Sequence, residues 1–229
     1  KVLVCGDKGM IGQELVRQLI DLVIDFSTAD IKDGFDLRDY RVCNAICSNI
    51  DIVFYLVGIK GSPKLTKERP VDFMEPMLKC DTNMITAAQS NGVKRFLYTS
   101  SIAVENPESD RFPAWAKKTG ETLIEAMRIQ YPIKYAMSRH LDDPDYKPND
   151  WIGTKWCIVR PANVYGRFDN FDNPNAMVVT QLIKKGLTSP TLDIWGDGSQ
   201  IRDFINSRDV ARGMIKTMEE MPDYPVNLC

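Results

Sequence analysis

The sequence predicts an α/β fold, a doubly wound parallel sheet followed by a small C-terminal lobe. Short apolar runs alternate with stretches of helical periodicity along the 229 residues, which is the pattern of repeated βαβ units. Runs such as VLV, IVFYLV and CIV are continuously apolar, as expected for strands that helices cover on both faces. The chain is long enough to bury a hydrophobic core.

Each predicted element rests on its own pattern. Strands are predicted where apolar runs end at a turn or polar residue: KVLVC, DLVIDF, DIVFYLVG, RFLYTSS, KWCIVRP, TLDIW and the stretch around Asp203 to Ile205. Helices are predicted where apolar residues recur every three or four positions: Met10 to Ile20, Val71 to Ser90, Ala114 to Gln130, Ala176 to Lys185 and Ser207 to Glu220. After Arg160 the composition shifts towards Asn, Asp, Pro and Gly, which indicates a loop-rich lobe at one edge of the sheet.

The composition excludes several classes of function. The net charge of −2 provides no basic field for nucleic acid or an anionic membrane. No apolar run approaches the roughly 20 residues of a membrane span, and KVLVCGDKG lacks the layout of a signal peptide. His140 is the only histidine, so Ser-His-Asp hydrolysis, Cys-His chemistry and a metal site are not expected.

The six cysteines lack CxxC spacing, which favours a reducing, cytoplasmic compartment. Cys43 and Cys47 share one face of a predicted helix. Without histidine neighbours, this spacing favours packing over metal binding.

A glycine loop follows the first strand. CGDKGMIG places Gly6, Gly9 and Gly12 in GxxGxxG spacing between a strand and a helix, the context that a dinucleotide site requires. The glycines allow a tight turn close to a pyrophosphate, and the helix N-terminus supplies free N–H groups. The alternative is a tight turn that binds no ligand.

An acid is expected after the second strand, where it would bind the adenosine ribose. Asp25, in LVIDFST, is the first choice; Asp21 competes, and a capping or surface role is the alternative. No basic residue follows Asp25 directly, so a 2′-phosphate would face an acid without a partner. This favours NAD over NADP.

These motifs resemble the extended short-chain dehydrogenase/reductase family of sugar-nucleotide epimerases, dehydratases and reductases. The matching segments, in chain order, are GDKGMIG, FDLRD, YLVGIKGS, YTSSIAV, RPANVYG and WGDGSQIRDFINSRDVARG. The resemblance implies an NAD-binding Rossmann domain over residues 1–160. It also implies a substrate-binding lobe over residues 161–229, interleaved with the last Rossmann elements and truncated.

The resemblance also assigns site residues. It implies that cofactor binding involves Gly6, Gly9, Met10, Ile11, Gly12, Asp25, Asp36, Leu37, Val57, Gly58, Lys117, Pro161, Asn163 and Val164. Ser101 would hydrogen-bond the reacting sugar oxygen, and Lys117 would hold the nicotinamide ribose. Asn163 and Arg202 would contact the sugar or phosphates of the substrate. The alternatives are a strand-end cap for Ser101, an exposed helix lysine for Lys117, and ion pairs of Arg202 with Asp203 or Asp209.

One residue that the resemblance implies is absent. The family's YxxxK motif places a tyrosine four residues before the lysine, and Pro113 stands there; if Lys118 is chosen instead, Ala114 stands there. Neither side chain carries a proton. Another group could supply the base, such as Tyr165 or Glu105. The chemistry could also differ, or the cofactor could be bound without turnover.

The resemblance therefore implies an NAD-dependent epimerase, dehydratase or reductase that acts on a nucleoside-diphosphate sugar through hydride transfer and a keto intermediate. The alternative function is a catalytically silent dinucleotide-binding module. The resemblance makes a homodimer through the helices over residues 71–90 and 114–130 one possibility, with Met74, Met77, Met84 and Met127 at that contact; packing of these methionines in the core is the alternative. Short spacings indicate omitted residues near 20/21 and 104/105, and further chain after residue 229.

Overall fold

The computed structural model describes residues 1–59, 63–132, 153–172, 176–192, 194 and 196–229. Its main sheet has six strands, all parallel, in the order β2-β1-β3-β4-β5-β8. These strands are β1 (Val2–Cys5), β2 (Phe26–Ala29), β3 (Ile52–Tyr55), β4 (Arg95–Thr99), β5 (Lys155–Pro161) and β8 (Val226–Leu228). The predicted doubly wound parallel sheet is confirmed.

Seven helices in the described ranges connect or cover the strands. They are α1 (Met10–Asp21), α2 (Tyr40–Cys47), α3 (Pro63–Glu68), α4 (Val71–Ser90), α5 (Arg111–Gln130), α6 (Val178–Thr188) and α7 (Ser207–Glu220). Short 3-10 turns span Ile31–Asp33, Ile102–Glu105 and Pro107–Asp110. The predicted helices at residues 71–90 and 207–220 have the expected bounds.

Two hydrophobic cores lie on opposite faces of the sheet. One joins α2, α4 and α5 to residues such as Tyr55, Phe96 and Trp156, and it contains the buried Cys43 and Cys47. The other joins α1 and α7 to alternate residues of the same strands. Because successive strand residues point to opposite faces, each continuously apolar strand fills both cores at once.

A second, two-stranded sheet continues from the carboxyl edge of the main sheet. It pairs β6 (Asn163–Tyr165) with β7 (Phe204–Asn206) in parallel. The chain then returns through α7, which packs on α1, and β8, which pairs with β5. Residues after 160 thus contribute both to this small sheet and to the main one, and the division at residue 160 stays a prediction.

The second strand differs from its prediction. The run DLVIDF does not form a strand from its start; Leu22 to Asp25 form the connection after α1, and the strand comprises FSTA. The predicted position of Asp25 at the end of this strand is therefore wrong. The register pairs Phe26 with Val2 and Ala29 with Cys5. Asp25 therefore lies at the amino-terminal ends of the strands, whereas the glycine loop lies at their carboxyl ends.

Two other predicted segments differ or lie outside the described ranges. The predicted strand TLDIW forms no strand at Thr191, Leu192 or Ile194; Asp193 and Trp195 lie outside the described residues. His140 also lies outside them.

The omissions expected near 20/21 and 104/105 stay predictions. α1 runs through Ile20 and Asp21, and a 3-10 turn spans Ile102–Glu105. The short connection to β2 is closed by Val23, whose φ of 56° is left-handed and whose side chain is 92% exposed. A β-branched residue rarely adopts this conformation, so the short spacing is achieved with local backbone strain.

Met77 and Met84, two of the methionines considered for a dimer contact, are buried within this chain. They therefore belong to the core, and Met127 is partly buried against it. None of the helices in the described parts of the chain is both long and apolar enough to span a membrane.

Candidate functional site

The glycine loop closes tightly between β1 and α1. Gly6 has a φ of 85°, a conformation that favours glycine, and its N–H donates to the Ala29 carbonyl at 2.8 Å. Gly9 donates its N–H to the Gly6 carbonyl at 3.1 Å and immediately precedes α1. A Cβ on Gly12 would lie 2.2 Å from the Gly6 carbonyl oxygen. Two of the three glycines are thus required by the loop itself.

A cavity of about 420 Å³ opens beside this loop. It lies at the carboxyl ends of β1, β2 and β3, where the strand order β2-β1-β3 reverses direction. Ligands of open α/β sheets bind at such a switch point. The cavity brings together six predicted cofactor residues, which are Gly6, Gly9, Asp36, Leu37, Val57 and Gly58.

The other predicted cofactor residues lie outside the lining of this cavity. Met10 and Gly12 are buried in the first turn of α1, and Val164 packs against the α1 and α7 core. Asp25 lies at the far edge of the sheet. The cavity lining also does not include Ile11, Lys117, Pro161 or Asn163.

Asp30, which the sequence did not single out, takes the position expected of Asp25. It directly follows β2 and lines the cavity. Its carboxylate accepts hydrogen bonds from the backbone N–H groups of Lys32 at 2.9 Å and Lys8 at 3.3 Å. The signal was available, because Asp30 ends a strand-length segment, but that segment is polar.

Two basic side chains close to Asp30, those of Lys8 and Arg38, are paired with other acids. The Lys8 ammonium lies 3.1 Å from Asp33 and 3.2 Å from Asp7, and these hydrogen bonds raise its pKa. Arg38 forms a bidentate hydrogen-bonded pair with Asp36 and lowers the pKa of that carboxyl. Both cations already have carboxylate partners, which would compete with a phosphate for them.

Lys117 is buried, so the alternative of an exposed helix lysine is wrong. It is 7% exposed, whereas the side chain of Lys118 is 44% exposed. The Lys117 Nζ donates to the Val57 carbonyl at 2.9 Å and therefore lies behind the wall of the cavity. Burial lowers the pKa of its ammonium group.

The other predicted site residues take local roles. The Ser101 Oγ accepts from the Ala103 N–H at 3.2 Å and caps a 3-10 turn. The Asn163 side chain donates to the Asp203 carbonyl at 2.9 Å and so ties β6 to β7. Arg202 is exposed and donates to the Ile201 carbonyl at 3.1 Å. Their roles towards a substrate stay predictions.

Pro113, at the position of the missing tyrosine, lies in the first turn of α5. Glu105, one alternative base, accepts from Asn227 at 2.8 Å and lies 3.4 Å from the Arg160 guanidinium. Tyr165, the other, is 37% exposed on β6. The base therefore stays open between these two residues.

Arg160 also anchors the helix that carries Lys117. Its guanidinium forms two hydrogen bonds with the buried Glu121, at 2.8 and 2.7 Å. Burial alone would raise the pKa of Glu121, but these bonds bring it below its ordinary value. α5 is thereby fixed to β5 one turn beyond Lys117.

A second cavity, of about 470 Å³, lies between α1 and α7. It shares no lining residue with the glycine-loop cavity, and its walls are mainly side chains of α1 and α7. It lacks the glycine-rich backbone that lets a pyrophosphate approach. It is therefore not the candidate dinucleotide site.

The comparison with family models agrees with this geometry. Residues 2–228 match the model described as "NAD dependent epimerase/dehydratase family". The chain belongs to this family. The resemblance to extended short-chain dehydrogenases/reductases inferred from the motifs is thus confirmed.

Curated members of the family align over most of this chain. GDP-L-fucose synthase of Escherichia coli (strain K12) is 26% identical over 231 residues, which cover 96% of this chain and 69% of that protein. The dTDP-4-dehydro-6-deoxy-D-allose reductase of Streptomyces sp is 24% identical over 242 residues, covering 95% and 72%. The resemblance thus extends beyond the short motifs.

Solved structures share the fold. A GDP-L-fucose synthetase from Naegleria fowleri, bound to NADP, superposes with a TM-score of 0.79 at 22% identity, covering 100% of this chain and 76% of that one. A UDP-glucose 4-epimerase from Thermus thermophilus, in complex with NAD, gives 0.74 at 21% identity, covering 99% and 76%. At these identities the likeness shows the fold alone.

The residues present fit the family's nicotinamide cofactor. Gly12 lets the loop backbone pack directly against α1, and Gly6 adopts the left-handed turn that lets the backbone approach a pyrophosphate. The N-terminus of α1 points its free N–H groups to the same place. Asp30 and Asp36 supply acceptors for hydroxyl groups along the cavity.

Proposed function

We propose that this protein is an NAD-dependent enzyme that epimerises, dehydrates or reduces a nucleoside-diphosphate sugar. The observation that carries the proposal is the cavity at the β1/β3 switch point with the buried Lys117 behind its wall. The names of the relatives support the substrate class: GDP-L-fucose synthase, dTDP-4-dehydro-6-deoxy-D-allose reductase and GDP-mannose 3,5-epimerase all refer to nucleotide sugars.

The proposed roles are those that the family resemblance implies, with Asp30 in place of Asp25. The glycine loop would bind the pyrophosphate, Asp30 the adenosine ribose, and Lys117 the nicotinamide ribose. When bound, the nicotinamide accepts or returns the hydride. Ser101, after β4, would orient the sugar oxygen, and Asn163 and Arg202 would bind the substrate from the β6–β7 side. Tyr165 and Glu105 both stay candidates for the base.

A preference for NAD over NADP is supported by Asp30. A carboxylate at the end of β2 would accept from the two ribose hydroxyls and would repel a 2′-phosphate. Lys8 and Arg38, the nearby cations, are already paired with acids. Lys32 follows Asp30 two positions later, so the preference rests on the Asp30 carboxylate and on the pairing of Lys8 and Arg38.

Two further expectations belong with this proposal. The cysteines are all free, five of them buried, which supports a reducing, cytoplasmic setting. A homodimer through the outer faces of α4 and α5 also stays part of the proposal. Val71 and Ile129 are exposed apolar residues on these helices, and Met77 and Met84 contribute nothing to such a contact.

The test is a titration of the protein with NAD, NADH, NADP and NADPH, in which thermal unfolding measures the stability at each ligand concentration. A ligand at about 100 times its dissociation constant stabilises the folded state by about 2.7 kcal/mol. We expect stabilisation by NAD and NADH and much less by the phosphorylated forms. A panel of GDP-, UDP- and dTDP-sugars is then assayed by the absorbance of the reduced nicotinamide and by product analysis.

Lys117→Gln is expected to abolish turnover, and Lys118→Gln, a change at the neighbouring exposed lysine, is the matched control. No stabilisation by any of the four cofactors would contradict the proposal. Binding of NAD without turnover of any sugar nucleotide would instead support the silent dinucleotide-binding module. Arg202→Ala should weaken sugar-nucleotide binding while leaving NAD binding unchanged.

A further inference from the structure

A buried carboxylate lies next to Lys117, held by two tyrosines. Asp81, on α4, is 2% exposed. The hydroxyl of Tyr55 on β3 donates to its Oδ1 at 2.8 Å, and the hydroxyl of Tyr98 on β4 donates to its Oδ2 at 2.5 Å. Both phenols are fully buried. Each carboxylate oxygen thus has its own donor, and three secondary-structure elements fix its orientation.

The ammonium of Lys117 completes this cluster. Its Nζ lies 3.9 Å from the Asp81 Oδ1 and 4.7 Å from the centre of the Tyr98 ring, with the Tyr55 ring at 5.8 Å. A carboxylate and two aromatic faces are the surroundings that attract a cation. The hydrogen bond that Nζ donates to the Val57 carbonyl points the ammonium towards the cavity.

The charges around Lys117 come from few groups. Burial lowers its pKa, and Asp81 is the strongest opposing influence, followed by Cys80 of the same helix and Glu121 of α5. Burial and the charge of Asp81 raise the pKa of both phenols, so Tyr55 and Tyr98 remain neutral donors. Burial also raises the pKa of Cys80, to about 11. Asp81 is therefore the main counter-ion.

We propose that Asp81, clamped by Tyr55 and Tyr98, is a positioning residue that holds the Lys117 ammonium at the cavity wall. This inference rests on the proposed function, which gives Lys117 its role at the nicotinamide ribose. Because Pro113 stands where the family has a tyrosine, the Lys117 ammonium has no phenol at that position to interact with. The cluster beneath Lys117 instead fixes the cation from inside the protein.

The direct test titrates Lys117 in the cofactor-free protein. The chain is labelled with ¹³C-lysine, the Cε signals are followed by NMR from pH 6 to 12, and the signal of Lys117 is assigned with Lys117→Gln. An opposite charge at this range moves a pKa by about 1–3 pH units. We expect Asp81→Asn to lower the pKa of Lys117 by such an amount and Tyr98→Phe to lower it less. The pKa of Lys118, an exposed neighbour, should not change.

Cofactor binding provides the second readout. Lysine is charged below its pKa, so the affinity for NADH should be lost as the pH rises through that pKa. In Asp81→Asn this loss should begin at lower pH, and in Lys117→Gln the affinity should be weak and no longer show this step. A purely structural role of Asp81 would lower stability without moving the step.

The outcomes separate the two proposals. If the wild-type protein binds no NAD(H) or NADP(H), the proposed function fails, while the NMR titration still decides the role of Asp81. If NADH binds but Asp81→Asn leaves the titration of Lys117 unchanged, the inference about Asp81 is overturned alone. Should Asp81→Asn not fold, Tyr98→Phe decides: an unchanged pKa of Lys117 contradicts the clamp, and a lowered one supports it.

Discussion

Replacing Gly12 by alanine tests whether the glycine loop is closed as described. The new Cβ would lie 2.2 Å from the Gly6 carbonyl oxygen and 2.7 Å from the Asp7 Cα, both backbone atoms that no rotamer change can move. Overpacking costs about 1–3 kcal/mol, and a contact with rigid backbone belongs at the upper end. Alanine in a helix recovers about 1 kcal/mol. The net loss should be about 2 kcal/mol.

For a chain of this size, that loss corresponds to a Tm lower by about 4–8 °C. Urea unfolding should show the same change as a lower midpoint with an unchanged slope. NADH binding should also be lost, because the shifted Gly6–Asp7 backbone enters the pyrophosphate position. Gly186→Ala is the matched control: it lies in α6, no atom is near its Cβ position, and the change should stabilise slightly. A Gly12→Ala protein as stable as wild type would refute the closed loop.

Three further predictions concern other parts of the site. Asp30→Asn should raise the affinity for NADPH relative to NADH by about tenfold or more, since like charges in contact cost several kcal/mol; equal ratios in a binding titration would remove Asp30 from the ribose site. Gly120→Ala should lower stability by about 1–3 kcal/mol in urea unfolding, because its Cβ would lie 2.2 Å from the Tyr98 hydroxyl oxygen; no loss would contradict this packing. Because the pKa of Glu121 is lower in the folded than in the unfolded chain, its ionised form stabilises the fold above the unfolded pKa of about 4.3, and this stability is lost as the pH falls below that value. Glu121→Gln should therefore be less stable than wild type at pH 7, and the difference in free energy of unfolding should shrink by pH 3. A difference that stays constant with pH would exclude the Arg160 pair as its origin.

Most of the fold was predictable because periodicity reports burial. α4 and α7 have apolar residues on one side and polar residues on the other, and their predicted bounds match. Strands β3 and β5 are buried on both faces, so their apolar runs are unambiguous. In each case a local pattern and the tertiary environment impose the same structure.

The error at β2 has a physical cause. β2 is the edge strand of the sheet, so its residues are only partly buried and FSTA needs no apolar run. The apolar residues before it, Leu22 and Val23, are exposed in the connection. The apolar run predicts a strand that begins too early, and the ribose acid is consequently expected at Asp25 instead of Asp30.

The cluster around Asp81 was not predicted because it forms between residues far apart in the chain. Tyr55 and Tyr98 belong to apolar strand runs, where a buried ring is expected and its hydroxyl draws no attention. One local signal existed: Asp81 lies four residues after Met77 and four before Ile85, on the buried face of α4. A lone acid on such a face requires donors, and only the fold shows which side chains provide them.

The close contact of Gly120 with the Tyr98 hydroxyl has an evolutionary consequence. Positions 98 and 120 are mutually constrained: removing only the hydroxyl leaves the Tyr98 Cζ 2.5 Å from a Cβ at position 120, so a larger residue there requires a smaller one at 98. That smaller residue would remove one of the two donors to Asp81. We therefore expect homologues to change positions 81, 98 and 120 as a set, with intermediates that alter only one of them selected against.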